Sequence, residues 1–333
     1  MKFRFDPLPK GFVIAKPIQW GEYDEKEIYE LERQKRLVIT RKHNGWKLFT
    51  VKASGSWKIY TDGMRDVTAF LPHLVKELNL MRVADKSMLV GEGVANKTNS
   101  DNSKVGKILN TKDAASALQR QEELGEMKFM IFEFAFGNSN CLLVNIPYVE
   151  RLAGAKGFIK SLPEALNHID IVEIIHATYD EAKELVIKNG WEGLVLYDKE
   201  FISSFRLDGG SPKRPDGCYK WKPLYEGDFI VRDFFPSEKN PSVFKEMLLL
   251  QIDPETEEEI DCGKHGTFSK KDREEIRALF RKGKPFVVQF EYEKRTENNK
   301  LVNKRFVCVR YDKKWRDCVM SAKIFPKNLK PRA

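Results

Sequence analysis

The chain has 333 residues, enough for one large domain and a smaller one, each with its own hydrophobic core. Hydrophobic residues make up 41% of the sequence and charged residues 32%, which excludes a disordered or collagen-like protein. No apolar run approaches the roughly 20 residues of a membrane-spanning helix, and the first residues lack the apolar core of a signal peptide. We therefore expect a protein without membrane contact that stays where it is made, in the cytoplasm or with the nucleoid.

Charge and cysteine content narrow the partners further. Lys and Arg number 58 against 49 Asp and Glu, so the formal net charge is +9. This excess favours a polyanionic partner such as nucleic acid, although a merely basic surface explains it about equally well. The five cysteines are odd in number, and no pair has CxxC spacing. They indicate reduced thiols, with neither a disulfide framework nor a zinc site.

In chain order, the first two thirds of the sequence alternate between strand and helix patterns. The predicted strands are residues 37–40, 47–52, 57–60, 86–94, 128–136, 193–197 and 219–222. The predicted helices are residues 67–78, 149–152 and 179–189, the last closed by Gly190. In the strand at 128–136, alternation places Met130, Phe132 and Phe134 on one face. Residues 209–217 are rich in Gly, Pro and Ser and predict a loop.

The pattern changes near residues 225–228, which we interpret as a domain boundary. Beyond it we predict strands at 229–234, 286–292 and 305–311 and one helix at 270–280. Short strands with turns and one helix in roughly a hundred residues are typical of a small barrel such as an OB-fold. The sequence therefore predicts an α+β protein with domains at residues 1–227 and 228–333.

One short motif acquires meaning only from others that follow it. Alone, a Lys and a Gly three residues apart are a weak signal, since an ordinary surface turn often contains them. The motif is Lys42-His43-Asn44-Gly45. The motifs that follow it, in order, are Gly91-Glu92, Phe132-Glu133-Phe134, residues 192–196, Lys220-Trp221-Lys222 and residues 310–313.

Together these motifs resemble the signature motifs of the covalent nucleotidyltransferases, the superfamily of ATP-dependent DNA ligases, RNA ligases and mRNA-capping enzymes. The resemblance runs from about Thr40 to Lys313. Within the superfamily, the chain is most similar to small two-domain ATP-dependent DNA ligases of the viral or bacterial type. The stretches that favour this branch are residues 61–72, 128–136, 263–268 and 304–313.

The resemblance implies a fold and an activity. It implies an adenylyltransferase domain, with ATP-grasp-like antiparallel sheets and helices, followed by a C-terminal OB-fold β-barrel. The implied activity is sealing of 5′-phosphate/3′-hydroxyl nicks through ligase-lysyl-AMP and AMP-polynucleotide intermediates, as used in DNA replication, repair and recombination. The implied cofactors are ATP, with AMP carried covalently on Lys42, and Mg²⁺. The expected partner is nicked duplex DNA or a DNA/RNA hybrid, bound by a monomer.

The resemblance also assigns site residues. The catalytic set is Lys42, Lys220 and Lys222. The nucleotide-binding set is Thr40, Arg41, Lys42, Gly45, Lys47, Glu92, Phe132, Glu192, Lys220, Lys222, Arg310, Asp312 and Lys313. Glu92 and Glu192 are the metal ligands, and the nucleic-acid contacts are Lys47, Arg65 and Arg305.

These assignments agree with elementary chemistry. A lysine amine with its ordinary pKa of about 10.4 is protonated at neutral pH and cannot attack phosphorus until the site favours its neutral form. Lys220 and Lys222, two residues apart on a strand, are expected on one face, where they attract a phosphate. Glu92 and Glu192 offer the oxygen ligands that Mg²⁺ prefers. The competing interpretation for Phe132 is core packing, and for the two glutamates it is a solvated strand edge. Lys220 and Lys222 could belong to a basic edge strand, and Arg310, Asp312 and Lys313 could be surface charges.

The chain departs from the family pattern near the sugar and phosphate sites. Asn44 stands where an Asp is usual, and Lys47 stands where an Arg is expected, which removes a bidentate fork. Asp62 occupies the position of a second Arg, for which Arg65 is a possible replacement, and Glu133 stands where Asp is usual. We expect nick recognition to differ, with tolerance for an RNA strand.

Two other function classes stay open from the sequence. The first is an RNA ligase or another covalent nucleotidyltransferase with the same core, which substrate and nucleotide choice would separate from a DNA ligase. The second is a non-catalytic nick-binding relic, which would bind nicks without forming a covalent AMP adduct.

Overall fold

The computed structural model describes residues 13–14, 16–95, 102–135, 137–138, 141–142, 146–160, 162, 165–202, 205–206, 214, 216–237, 240–321 and 326–329. The chain divides into two compact units, Met1–Trp221 and Lys222–Ala333. Within the described residues, no helix is long and apolar enough to cross a membrane. Helices and strands together make a mixed α+β protein.

The first unit carries most of the helices. They are α1 (Glu25–Arg33), α2 (Pro72–Asn79), α3 (Asn102–Leu109), α4 (Ala114–Leu124), α5 (Tyr148–Lys160) and α6 (Tyr179–Asn189), with a 3₁₀ turn at Thr68–Phe70. Its strands are β1 (Val13–Ile14), β2 (Ile18–Gln19), β3 (Leu37–Lys42), β4 (Trp46–Ala53), β5 (Ser56–Thr61), β6 (Met88–Val94), β7 (Lys128–Ala135), β8 (Gly137–Asn138), β9 (Cys141–Leu142), β10 (Ile169–Ile171), β11 (Gly193–Asp198), β12 (Phe205–Arg206) and β13 (Cys218–Trp221).

Two sheets organise this unit. The larger has the order β10-β7-β6-β4-β5, antiparallel except for the parallel pair of β10 and β7. The smaller has the order β2-β13-β11-β3, in which β11 is antiparallel to both of its neighbours. Short two-stranded pairs join β1 to β12 and β8 to β9.

The smaller sheet is covered on both faces, which explains why β11 has a nearly continuous apolar sequence. Leu194 and Leu196 lie in one hydrophobic cluster with Tyr179 of α6. The alternate residues Val195 and Tyr197 pack against the other cluster, which contains side chains of the larger sheet. Successive side chains of a strand point to opposite faces, so β3, β11 and β13 each contribute to both clusters.

Helix α6 shows how local sequence positions a site residue. Its N-terminus has a capping box, in which the Thr178 hydroxyl accepts from the Glu181 N–H and the Glu181 carboxylate accepts from the Thr178 N–H. Its C-terminus is closed by Gly190 in the left-handed conformation, at φ 61°. The predicted helix at 179–189 is confirmed, and its end at Gly190 places Glu192 directly before β11.

The second unit is mainly a sheet. Its elements are β14 (Tyr225–Val231), β15 (Phe234–Ser237), β16 (Asn240–Ile252), β17 (Glu259–His265), α7 (Lys270–Phe280), β18 (Phe286–Tyr292), β19 (Lys294–Arg295), β20 (Leu301–Val302), β21 (Arg305–Val309) and a 3₁₀ turn at Trp315–Asp317. The order is β15-β16-β14-β18-β21, with β17 also paired to β16. Among the described strands the pairing does not close into a ring, so the OB-fold barrel stays a prediction.

Several expectations differ from the described structure. The helix predicted at 67–78 is a 3₁₀ turn at Thr68–Phe70 followed by α2, which begins at Pro72. The helix predicted at 149–152 extends over Tyr148–Lys160, and β16, at 13 residues, is longer than the short strands expected of this region. Strand β13 ends at Trp221, so Lys222 does not continue it. The reason is Pro223, whose ring nitrogen has no hydrogen to donate to a ladder. The loop predicted at 209–217 lies mostly outside the described residues.

Candidate active site

A cavity of about 340 Å³ opens within the first unit, lined by side chains from both of its sheets. Its lining residues are Lys16, Pro17, Thr40, Arg41, Lys42, His43, Lys47, Asp62, Glu92, Phe132, Val172, Val195, Tyr197, Cys218 and Lys220. Seven of the predicted nucleotide-binding residues are in this set. Glu192 joins them through its contact with Lys42.

Strand alternation directs the smaller sheet's polar residues to the cavity. On β3, Val38 belongs to the cluster that includes the larger sheet, so Thr40 and Lys42 share its face. On β13, Cys218 belongs to the same cluster, and Lys220 lies two residues on. The hydroxyl of Thr40 donates to the Val195 carbonyl at 3.3 Å. The pattern of buried apolar residues thus determines which polar side chains line the cavity.

Lys42 ends β3 opposite Gly193 of β11. Its Nζ lies 2.7 Å from Oε2 of Glu192 and donates to the carbonyl of His43 at 3.3 Å. The Lys42 side chain is 21% exposed. The amine of Lys42 is therefore held in place inside the cavity while its side chain stays partly accessible.

The neighbouring His43 is uncharged. Burial, followed by the charges of Arg41 and Lys42, lowers the pKa of His43 to about 4, so this imidazole is neutral at pH 7.

Gly45 and Glu92 are coupled by close backbone packing. The Gly45 N–H donates to Oε1 of Glu92 at 3.1 Å. A Cβ at position 45 would lie 2.1 Å from the Gly93 carbonyl oxygen, so only glycine fits here. Burial, reinforced by nearby Glu192 and opposed by Lys42, raises the pKa of Glu92 to about 7. The cavity therefore contains a carboxyl group that a further cation would stabilise in its charged form.

Charged residues cross the larger sheet in a row. Lys47 of β4 pairs across the ladder with Glu92 of β6, and its Nζ lies 3.3 Å from Asp62, just after β5. Asp62 is also 3.3 Å from Lys16. Burial lowers the pKa of Lys47, against the opposing effect of Asp62. Burial acts to raise the pKa of Asp62, but Lys47 and Lys16 together outweigh it and the pKa is lowered.

Phe132 reaches the cavity because β7 contains a β-bulge. Its neighbours Ile131 and Glu133 pair with the adjacent residues Gly91 and Val90, which leaves Phe132 as the extra residue. The bulge shifts the alternation: Ile131 pairs with Gly91 and Phe134 with Leu89, two residues away on β6, so Phe134 lies in the core on the side of Ile131. The predicted grouping of Met130, Phe132 and Phe134 on one face is therefore wrong, whereas the half-buried Phe132 does line the cavity.

The residue after Phe132 has a structural role. Glu133 is buried and forms an ion pair with the equally buried Arg151. Arg151 also donates to the carbonyls of Ile146 at 3.0 Å and Ile202 at 2.7 Å. These bonds join β7 to α5 and to the segment after β11.

The comparisons with known proteins agree with this geometry. The ATP dependent DNA ligase domain family matches residues 22–222, more than half of the chain. The chain belongs to the ATP-dependent DNA ligase family. It is accordingly a polynucleotide ligase, an ATP-binding nucleotidyltransferase, and AMP transfer is the chemistry that the family implies.

Solved structures resemble this ligase in fold. A structure from a study of DNA binding by Lig E DNA ligases has a TM-score of 0.60 and 17% identity, and covers 89% of this chain and 98% of its own. Pmar-Lig_Pre has a TM-score of 0.65 and 16% identity over 90% of this chain and 67% of its own. Pmar-Lig_PreS3 has a TM-score of 0.62 and 16% identity over 89% and 67%. No curated protein sequence matches the chain.

Two predicted arginines of the ligase make other contacts in the first unit. The Arg41 guanidinium lies 4.9 Å from the Trp191 ring centroid, and burial lowers its pKa. Arg65 donates to the carbonyls of Leu109 at 2.7 Å and Thr111 at 2.6 Å. Arg65 thus stabilises the chain after α3, and it does not line the cavity. A nucleic-acid contact by Arg65 stays a prediction.

The remaining predicted residues lie in the second unit of the ligase. Lys222 Nζ is 2.9 Å from Glu293. Arg310 donates to both carboxylate oxygens of Asp312, at 2.8 and 2.7 Å, and to Asp228 at 2.9 Å. These ion pairs all lie within the second unit.

Two further residues of this unit were predicted to act. Lys313 closes a turn through its backbone N–H to the Arg310 carbonyl at 3.4 Å. Arg305 pairs with Glu291 and lines a separate cavity of about 700 Å³ that also contains Lys264 and Lys304.

Glu92 and Glu192 are the carboxylates that the sequence predicts as magnesium ligands. In the part of the chain that the structure describes, no cluster of three or more His, Cys, Asp or Glu side chains could hold a metal by itself. Mg²⁺ needs only one or two carboxylates when substrate phosphates and water complete its shell. Glu92 and Glu192 interact electrostatically, and the raised pKa of Glu92 reflects that interaction as well as burial. The pair therefore fits a cation bound together with phosphate.

The sequence motifs assign no role to two charged residues of the ligase cavity, Lys16 and Asp62. Lys16 lies just before β2, far from every motif in the sequence, and the parallel pairing of β2 with β13 helps to bring it to the cavity. Asp62 was identified only as a departure from the family pattern. Its alignment with Lys47 follows from the β4–β5 register, in which Leu48 opposes Thr61.

Proposed function

We propose that the protein seals nicks by three phosphoryl transfers that begin at Lys42. The observation that carries this assignment is the Lys42 amine inside a cavity that also contains Lys47, Lys220 and Glu92. The lysines provide positive charge for a triphosphate, and Phe132 provides an aromatic face for a base. Arg41 and Thr40 complete the nucleotide site in this proposal.

In the first transfer, the neutral Lys42 amine attacks the α-phosphorus of ATP. A nitrogen–phosphorus bond forms, the bond to the β-phosphate oxygen breaks, and pyrophosphate leaves with its electron pair. The amine's proton must depart, and Glu192 is an acceptor 2.7 Å from Nζ. The hydrogen bond between Gly45 and Glu92 fixes the turn after Lys42. In this proposal, the rate is increased mainly by positioning of the amine and by neutralisation of the charge on the phosphates.

Mg²⁺ fits beside Glu92 and Glu192, where it would offset phosphate charge. Lys220 faces the same cavity and is assigned to the α-phosphate. The proposal also assigns the cations Lys222, Arg310 and Lys313 of the second unit to the phosphates of ATP, as the family resemblance implies, with Asp312 orienting Arg310 in the same nucleotide site. Phosphate oxygens would replace Glu293 beside Lys222 and Asp228 beside Arg310.

In the second transfer, AMP moves from Lys42 to the 5′-phosphate at a nick, which forms a phosphoanhydride and releases the lysine amine. In the third, the neighbouring 3′-hydroxyl attacks the activated phosphate, loses its proton and expels AMP. The substrate is nicked duplex DNA, and a DNA/RNA hybrid is included because Asn44, Lys47 and Asp62 change the sugar and phosphate surroundings. Lys47, Arg65 and Arg305 are the proposed nucleic-acid contacts.

The proposed domain layout is an adenylation domain at 1–227 and an OB-fold domain at 228–333, acting as a monomer. What supports the division is the compactness of the two units, whose boundary along the chain falls between Trp221 and Lys222. The mainly β second unit, with one helix between β17 and β18, supports an OB-fold.

The test is incubation with Mg²⁺ and α-labelled ATP, followed by nicked duplexes with DNA or RNA on each side of the nick. Label on the wild-type protein and sealing of a DNA nick are the expected results, and Lys42→Ala should show neither. ATP labelled at the γ-position should leave the protein unlabelled. Binding of nicks by a folded protein that takes up no label would refute catalysis and favour a relic.

A further inference from the structure

Three charged side chains form a bridge at one edge of the cavity. The Asp62 carboxylate lies 3.3 Å from Lys16 Nζ and 3.3 Å from Lys47 Nζ, and all three residues line the cavity. One carboxylate therefore holds two ammonium groups together. We call these residues the Asp62 bridge.

The members of the Asp62 bridge differ in exposure. The Lys47 side chain is 18% exposed, whereas Asp62 is 47% and Lys16 50% exposed. Asp62 can turn into water at little cost, because a half-exposed carboxylate is readily hydrated. The mostly buried Lys47 cannot turn into water in the same way, and loss of its ion-pair partner would leave a buried charge unpaired, which is costly. Departure of Asp62 is therefore favourable only when another anion takes its place beside Lys47.

The neighbouring strand restricts where that anion binds. Glu92 lies across the ladder on the other side of Lys47, so that side offers an acidic group and no second cation for an anion. The Asp62 side has the second cation, Lys16, and the more mobile carboxylate. Two ammonium groups that converge on one acceptor suit the oxygens of a phosphate, which accept several charge-assisted hydrogen bonds.

We propose that Lys16 and Lys47 form a phosphate-binding site, and that Asp62 occupies this site until a substrate phosphate displaces it. This inference rests on the proposed ligase function for the identity of the ligand. The phosphate belongs either to the nucleotide or to the 5′ end at a nick. Asp62 competes with the ligand, so its neutralisation strengthens binding, whereas loss of Lys16 weakens it.

The experiment compares Lys16→Ala, Asp62→Asn and Lys58→Ala with the wild type. Lys58 is an exposed lysine on β5, so its removal matches the charge change of Lys16→Ala outside the cavity. One arm measures binding of labelled inorganic pyrophosphate by equilibrium dialysis with Mg²⁺. The other measures binding of a nicked DNA duplex that ends in a 5′-phosphate, against the same duplex with a 5′-hydroxyl.

In the arm that contains the true ligand, Lys16→Ala should weaken binding about tenfold, which corresponds to one charge-assisted hydrogen bond. Asp62→Asn should strengthen it severalfold, and Lys58→Ala should change it less than about twofold. An effect confined to pyrophosphate identifies the nucleotide as the source. An effect confined to the 5′-phosphorylated nick identifies the polynucleotide end.

Binding that Asp62→Asn leaves unchanged or weakens in both arms would overturn the proposal, and so would an unaltered Lys16→Ala variant. Label transfer from ATP to the wild-type protein is scored separately. A wild type that binds pyrophosphate with these opposite variant effects but takes up no label would retain the phosphate site while refuting the ligase mechanism.

Discussion

Replacing Gly45 by Ala tests how closely the turn after Lys42 is packed. The new Cβ would lie 2.1 Å from the Gly93 carbonyl oxygen and 3.0 Å from Cγ of Glu92, where ordinary contact begins at 3.4 Å. A backbone carbonyl cannot move aside as a side-chain tip can, so β4 and β6 must separate locally. Overpacking of this kind costs about 2–3 kcal/mol of the free energy of unfolding. The separation would also weaken the hydrogen bond from Gly45 to Glu92.

The assay is urea unfolding of Gly45→Ala beside Gly63→Ala, together with the rate of label transfer from ATP. Gly63 is a matched control because its Cβ would meet only Thr61 Oγ1, at 3.9 Å. We expect the control to stay within about 0.5 kcal/mol of the wild type. Equal stability and equal labelling rates for the two variants would refute the argument that close packing at Gly45 positions Glu92.

Three other perturbations give distinct outcomes. The pKa of Glu92 is raised from 4.5 to about 7, so ionisation of this residue lowers the free energy of unfolding as the pH rises through this range. In urea unfolding from pH 5 to 8 with EDTA, Glu92→Gln should therefore be more stable than the wild type by up to about 3 kcal/mol above pH 7. The same variant should be labelled by ATP more slowly. A gap between the two proteins that does not grow with pH would contradict this. Arg151→Ala should lower the free energy of unfolding by about 3–5 kcal/mol because Glu133 is left buried without its cation, and a loss under 1 kcal/mol would show that the pair is unimportant. Phe132→Ala should raise the KM for ATP with little loss of stability, whereas Phe134→Ala should cost about 3–5 kcal/mol in unfolding, and the reverse pattern would refute the bulge assignment.

Hydrophobic periodicity predicted the strands and helices whose local signals agree with their tertiary environment. Helix α6 begins at Tyr179 and ends before Gly190 because a capping box and a left-handed glycine specify both ends locally. Helix α7 and strand β18 coincide with the predicted residues 270–280 and 286–292. In each case, local composition and the buried face give the same result.

Features that depend on distant pairing could not be read from the sequence. The bulge at Phe132 arises from the register between β6 and β7, and nothing in residues 128–136 marks an extra residue. Helices α3 and α4, at Asn102–Leu109 and Ala114–Leu124, were not predicted, although the Asp113 carboxylate that caps α4 is a local signal.

The candidate site was predictable to the extent that motifs describe it. Ordered motifs brought Lys42, Glu92 and Lys220 together, because a family resemblance carries three-dimensional information that spacing alone lacks. Lys16 belongs to no motif, and it reaches the cavity through the strand pairing on either side of it. The pairing of Asp62 with two lysines likewise depends on the folded positions of three separate segments.

The most direct test of the account is to locate the AMP adduct. The intact protein is incubated with MgATP, digested, and its peptides are compared by mass spectrometry with those of Lys42→Arg, which keeps a cation without a lysine amine. The account predicts one adenylyl group per wild-type molecule, attached at Lys42, and none on the variant. An adduct on another residue, or the same adduct on both proteins, would contradict the central claim that Lys42 is the nucleophile.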